Sequence, residues 1–309
     1  MHSAFADLDA RLHAVATADP SASVSVWLGD LAGRCRWSHR AGEPHYAAST
    51  MKLPLVVAAQ RRVVRGELDL DAPHPVHNAF ASVHDGSPFS MDVDDDQDPE
   101  TWAALGATRT LRQLAEHAIT HSGNLATNLL LDVVGREEVA LVLQLAGCSP
   151  TTVVGRGIED SAARAAGITN TVTAADLGLV MAAVARREPA LGGPAVCEPV
   201  EQMLSRQQHL DQIPAGLPSG TPTASKSGWI PGVSHDVALV RPTGEEPFVL
   251  AICTTIDLGE HEGAAFVASV AADVWAADHV DGDHAGVDHA DAGMAGQAGP
   301  AGDDREVQS

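Results

Sequence analysis

The chain has 309 residues, 45% of them hydrophobic, with 28 glycines and 18 prolines, enough to bury a sizeable core as one domain or two subdomains. Its formal net charge of -22 argues against nucleic acid and anionic membrane as partners. No apolar run reaches the length of a membrane-spanning helix, and no basic, apolar leader opens the sequence, so the chain reads as cytoplasmic. Cys35, Cys148, Cys197 and Cys253 are scattered without metal-binding spacing and read as buried free thiols.

Phe5, Leu8, Leu12 and Val15 recur at helical spacing and predict an amphipathic helix over residues 3–17. Val24, Val26 and Leu28 alternate and predict a strand, and Cys35 and Trp37 belong to a second. Tyr46-Ala47-Ala48 leads into Ser49-Thr50-Met51-Lys52, the first turn of a helix that runs to Arg65 and stops at Gly66. Residues 72–100 are irregular. The run Asp92–Asp98 lacks the glycine and distal glutamate of a calcium loop and reads as a solvated acidic loop. Thr110 caps a helix that breaks at His121-Ser122-Gly123-Asn124, and further helices cover Leu125–Val134 and 137–146. The stretch 150–172 reads as a long ordered loop. A helix from Thr173 to Arg187 and a short one at 199–207 precede a Pro/Gly connector, 209–222. Strand patterns return at Thr223–Ile230, Asp236–Val240 and Phe248–Thr254, then a helix at 264–277. Residues 278–309, with repeated Asp-His pairs, read as a disordered acidic tail.

Two N-terminal strands cannot make a stable sheet alone. The order of elements therefore predicts an α+β fold. An antiparallel sheet from residues 1–45 and 209–277 is flanked by helices and interrupted by an all-helical subdomain, 46–208. The active site would lie at their junction.

Three fragments carry chemistry. Ser49 and Lys52, three apart on a helix, point into the same space, so a lysine held neutral there can take the proton of a serine nucleophile. The 19 basic residues comprise 17 arginines and two lysines, Lys52 and Lys226. Arginine does not deprotonate in proteins, so it could replace neither in proton transfer. Ser122 and Asn124 flank Gly123 at a helix break, where the serine can relay a proton to a leaving amine and the asparagine can hold Lys52 and a substrate amide. Lys226-Ser227-Gly228 on an edge strand offers a positive field, a donor for a carboxylate and room for substrate along the strand. The N–H groups of Ser49 and Trp229 would form an oxyanion hole. With no H-E-x-x-H, no metal or other cofactor is expected; the partner is a small molecule.

S-x-x-K, S-x-N and K-[ST]-G in this order resemble the penicillin-recognising serine enzymes, most closely the class A β-lactamases. The resemblance spans residues 20–277. Families with Tyr-x-N as second motif do not fit, because the one tyrosine is Tyr46. The resemblance implies that Ser49 is acylated, that Lys52 and Ser122 move protons, that Asn124 positions, and that Lys226 and Ser227 bind a substrate carboxylate. It further implies an omega-like loop at 150–172 with Glu159 activating the water that releases the acyl group. His235 falls near the family's carboxylate-binding arginine, a task it can perform only when protonated or with help from Lys226. Departures are the three-residue step from Arg156 to Glu159, Ala162 and Ala163 where an asparagine is expected, and Gly123 where class A has aspartate. The expected activity is hydrolysis of a β-lactam or another amide or ester through an acyl-serine. The alternatives are a DD-peptidase-like acyl transferase and a non-catalytic penicillin-binding sensor.

Overall fold

The computed structural model describes residues 4–287. Helix α1 (Ala4–Ala18) and strands β1 (Ser23–Asp30) and β2 (Cys35–His39) open the chain. The middle is mainly helical: α2 (Lys52–Val64), α3 (Leu111–Thr120), α4 (Asn124–Val134), α5 (Arg136–Leu145), α6 (Ala174–Ala185) and α7 (Pro194–Leu204). Strands β3 (Thr223–Ile230), β4 (Val233–Val240) and β5 (Phe248–Thr255) and helix α8 (Glu260–Val287) follow.

The two ends of the chain complete one sheet, in the order β3-β4-β5-β1-β2, with every neighbouring pair antiparallel. The pleat sends alternate residues to opposite faces. Val24, Val26 and Leu28 share a face with Leu250, Ile252, Ala238 and Val240, and bury it under Leu8 and Leu12 of α1 and Val267, Val270 and Val274 of α8. Trp27, Val237, Leu239, Val249, Ala251 and Cys253 line the other face, which merges with the apolar residues of α2 and α6. Helix α6, placed by sequence in the helical insertion, therefore packs directly on the sheet, and sheet and insertion share one core. Edge strand β3 lies against the turn that carries Ser49.

The 150–172 segment is an ordered loop tied at its neck. Its short strands Val153–Val154 and Asn170–Val172 pair with each other, and the second also pairs with His45–Tyr46. The Asn170 side-chain carbonyl accepts from the N–H groups of Gly155 and Arg156, and its amide donates to Arg156 O. The Ala47 N–H donates to Asn170 O, which docks the neck beside Ser49.

Two expectations change. Cys35 is exposed and Cys148 half-buried; only Cys197 and Cys253 are buried, all four as free thiols. Helix α8 continues to Val287, and within it Asp278 pairs with Arg36 and His279 with Glu245, so residues 278–287 are helical rather than tail. The expectation for 288–309 lies outside the described residues. Among the described residues no helix is long and apolar enough to cross a membrane.

Candidate active site

Ser49 sits in a tight 3-10 turn, Ala48–Met51, and the α-helix proper begins at Lys52. Pro54 has no N–H to give the Thr50 carbonyl, so the α-helical ladder cannot start earlier. Ala48 adopts φ 43° and Ser122 φ 56°, left-handed backbone that costs energy in a residue other than glycine. Such strain is often concentrated where side chains must be aimed.

Both lysines are fully buried, with 0% exposure, and both reach Ser122. Lys52 Nζ donates to Ser122 O at 2.5 Å, to Asn124 Oδ1 at 2.8 Å and to Ser122 Oγ at 3.4 Å. Lys226 Nζ donates to Ser227 O at 2.7 Å and to Ser122 Oγ at 3.1 Å. Burial, reinforced by the Lys226 charge, pulls the Lys52 amine well below the ordinary lysine range, against the opposing pull of Asp96 and Asp98. Burial brings Lys226 down to about 7, opposed by Asp236. A neutral amine can accept a serine proton, and Ser122 Oγ lies within hydrogen-bond reach of both amines.

Strand β3 closes the other wall. A Cβ at Gly228 would lie 2.7 Å from Ser49 N and 2.9 Å from Thr50 N, so only glycine lets the strand run this close to the Ser49 turn. Ser227 Oγ is buried without a partner in the protein. The Trp229 ring stands 4.8 Å from that of His209.

Two expected site residues point elsewhere. His235 is fully buried on the inner face of β4; its Nε2–H donates to Tyr46 O at 2.8 Å, and its Nδ1 accepts from the Thr254 N–H at 3.0 Å. Burial lowers its pKa to about 4. A neutral ring bonded to backbone at both nitrogens has nothing left for a substrate carboxylate. Glu159 adopts φ 62°, and its Oε2 accepts from the Asp92 N–H at 2.8 Å while Oε1 is buried without a partner. Burial and the nearby Asp95, Asp92 and Asp96 charges push its carboxyl up, against the Asp92 hydrogen bond. Its neighbour Ile158 is fixed on α4 instead: Ile158 N–H donates to Asn128 Oδ1 and Asn128 Nδ2 to Ile158 O. Glu159 is thus held on the Asp92 loop, outside the hydrogen-bonded cluster of Lys52, Ser122 and Lys226.

The acidic run does more than meet solvent. The Asp96 carboxylate accepts from the Asn124 and Leu125 N–H groups at the start of α4 and from Trp102 Nε1. Asp98 is fully buried and accepts from the Thr101 N–H and from His117 Nδ1. Asp98-Pro99 opens a short helix, Pro99–Ala103, and aspartate followed by proline is a helix-start signature. That signal was present in the run read as a solvated loop. Asn128, four residues after Asn124, was likewise legible as a neighbour on the same helix face.

A family model described as the Beta-lactamase enzyme family matches residues 7–277. Beta-lactamase 1 of Streptomyces cacaoi is 28% identical over 231 residues, 73% of this chain and 70% of that protein. Beta-lactamase ROB-1 of Haemophilus influenzae is 28% identical over 243 residues, 76% of this chain and 72% of that protein. Among solved structures, the class A β-lactamase of the last common ancestor of Gram-negative bacteria superposes with a TM-score of 0.72 at 25% identity, covering 88% of this chain and 99% of that one. PBP-A shares the fold, with a TM-score of 0.72 at 22% identity over 89% of this chain and 96% of its own. With the family model spanning almost every described element, the chain belongs to the Beta-lactamase enzyme family and has the α+β fold of its class A neighbours.

Proposed function

We propose that this chain is a serine hydrolase that opens a β-lactam, or another amide or ester, through an acyl-Ser49 intermediate. The observation that carries the reading is the single buried network in which Lys52 and Lys226 both reach Ser122 Oγ. Neutral Lys52 takes the Ser49 proton as Oγ attacks the substrate carbonyl. The N–H groups of Ser49 and Trp229 receive the developing oxyanion. Ser122 hands a proton to the leaving nitrogen as the C–N bond breaks, and is reprotonated from the adjoining amine. Asn124 holds Lys52, Lys226 and Ser227 take a substrate carboxylate, and Gly228 leaves space beside the strand. Water then cleaves the acyl ester and returns a proton to Ser49.

The Asp92 hydrogen bond to Glu159 favours a second reading, in which release is slow and the acyl group passes to another acceptor, as in a DD-peptidase-like transferase, or stays, as in a sensor. Nitrocefin turnover by wild type and Ser49→Ala, with intact-mass measurement of the same samples, tests both. Turnover that disappears in the variant supports the hydrolase. A persistent adduct without turnover supports the second reading. Neither turnover nor adduct removes β-lactams as substrates.

A further inference from the structure

We infer that Asp98 is the positioning residue of the Ser122–Asn124 turn and, with Asp96, the anionic backing of Lys52, with His117 as its counter-cation. The inference deepens the proposed function, since it rests on Lys52 as the proton acceptor.

The geometry is that of a carboxylate built into the wall beneath the turn. A Cβ at Gly123 would meet Asp98 Oδ2 at 2.7 Å and Asp98 Cβ at 2.8 Å, so the Asp98 side chain fills the space that a residue at 123 would use. Asp98 is fully buried, and a buried carboxylate persists only when paired and hydrogen-bonded. Thr101 and His117 supply those bonds: Thr101 N–H at 3.1 Å, Thr101 Oγ, and His117 Nδ1 at 3.0 Å. His117 holds the turn a second time through its backbone, because its carbonyl accepts from the Gly123 N–H at 3.1 Å. The turn thus rests on one residue pair, contacted by side chain from below and by main chain from α3. One turn of chain away, Asp96 caps α4 at Asn124, whose Oδ1 in turn holds Lys52 Nζ.

The charges around Lys52 have definite signs. Lys226 on β3 disfavours its ammonium form, and Asp96 and Asp98 favour it; His209 on the connector also feels the Lys52 charge. The Asp98 hydrogen bond raises the His117 pKa, with Glu100 acting the same way and Arg109 opposing, and the His121 ring lies 4.6 Å from it. Protonated His117 offsets part of the Asp98 field. Deleting the Asp98 charge therefore lowers the Lys52 titration midpoint, and deleting the His117 charge raises it.

The chain's two lysines make this measurable without substrate. Lysine labelled with carbon-13 at Cε gives two side-chain NMR signals, assigned with Lys226→Met, and each is titrated with pH. Relative to wild type, the Lys52 midpoint is expected to fall in Asp98→Asn and to rise in His117→Gln. The double variant Asp98→Gly/Gly123→Asp, which moves the carboxylate to the other side of the same contact, is expected to return it towards wild type. The acid limb of acylation by nitrocefin should move with the midpoint. An unchanged midpoint in Asp98→Asn, or movement of both single variants in the same direction as generic loosening would cause, overturns the inference. If Asp98→Asn does not fold, a His117→Gln midpoint that fails to rise overturns it alone. Absence of both turnover and adduct with nitrocefin in the wild type would remove β-lactams as substrates of the proposed function and leave the titration result standing.

Discussion

The wall built by α2, the Ser122 turn and β3 differs instructively from the wall built by the 150–172 loop. Both are ordered and both touch the Ser49 turn. In the first, two buried amines meet one hydroxyl. In the second, the loop is tied as firmly, through Asn170 and Asn128, yet its carboxylate turns to the Asp92 N–H. Rigid anchoring therefore does not by itself assemble a site. One residue separates the backbone clamped by Asn128 at Ile158 from the carboxylate that Asp92 holds at Glu159.

The contrast can be broken at its strong end first. Ser49→Ala should abolish adduct formation and lower turnover by on the order of 10⁴-fold; residual turnover near wild type would place the nucleophile elsewhere. Lys52→Arg puts a permanent cation where the neutral amine would take the proton, and should slow acylation by on the order of 10³-fold in stopped-flow measurements. Gly228→Ala drives a methyl into Ser49 N and Thr50 N. It should slow acylation by roughly 100-fold and cost about 1–3 kcal/mol in denaturant unfolding.

His235 tests burial rather than chemistry. Its folded pKa of about 4 lies below the ordinary 6.5, so the unfolded chain binds more protons between those values. The stability that His235 contributes is complete above pH 6.5 and is lost as pH falls towards 4, by on the order of 3 kcal/mol. His235→Asn should flatten that part of the stability–pH curve without a selective rise in KM for carboxylate-bearing substrates; such a rise would return His235 to the binding site. The smallest effect is expected at the weak end of the comparison. Glu159→Gln should change acyl-enzyme release less than about threefold, whereas accumulation of adduct in the variant alone would show that Glu159 swings in to activate water.

Much of this was written in local patterns. The period-two strands found their places because alternation alone assigns Val24, Val26 and Leu28 to one face. Ser49 and Lys52 stood out because lysine is so scarce here. The same alternation puts His235 on one face with Val237 and Leu239, both in the core, and a position near the family's arginine does not change that parity. Asp96 and Asp98 were opaque for another reason. A run of carboxylates looks solvated until the partner segments, α3 and α4, are known, and those partners come from the tertiary fold. Glu159 was the nearest acid to the expected place, but the clamp on Ile158 depends on Asn128 from a different helix.

The complete burial of Lys52 and Lys226 also makes the folded molecule nearly inert to amine-directed conjugation. An activated ester or an aldehyde crosslinker finds neither lysine at the surface of the folded state. Each lysine label then counts molecules whose interior has opened, and the mass of the conjugate becomes a direct record of breathing around the Ser122 turn.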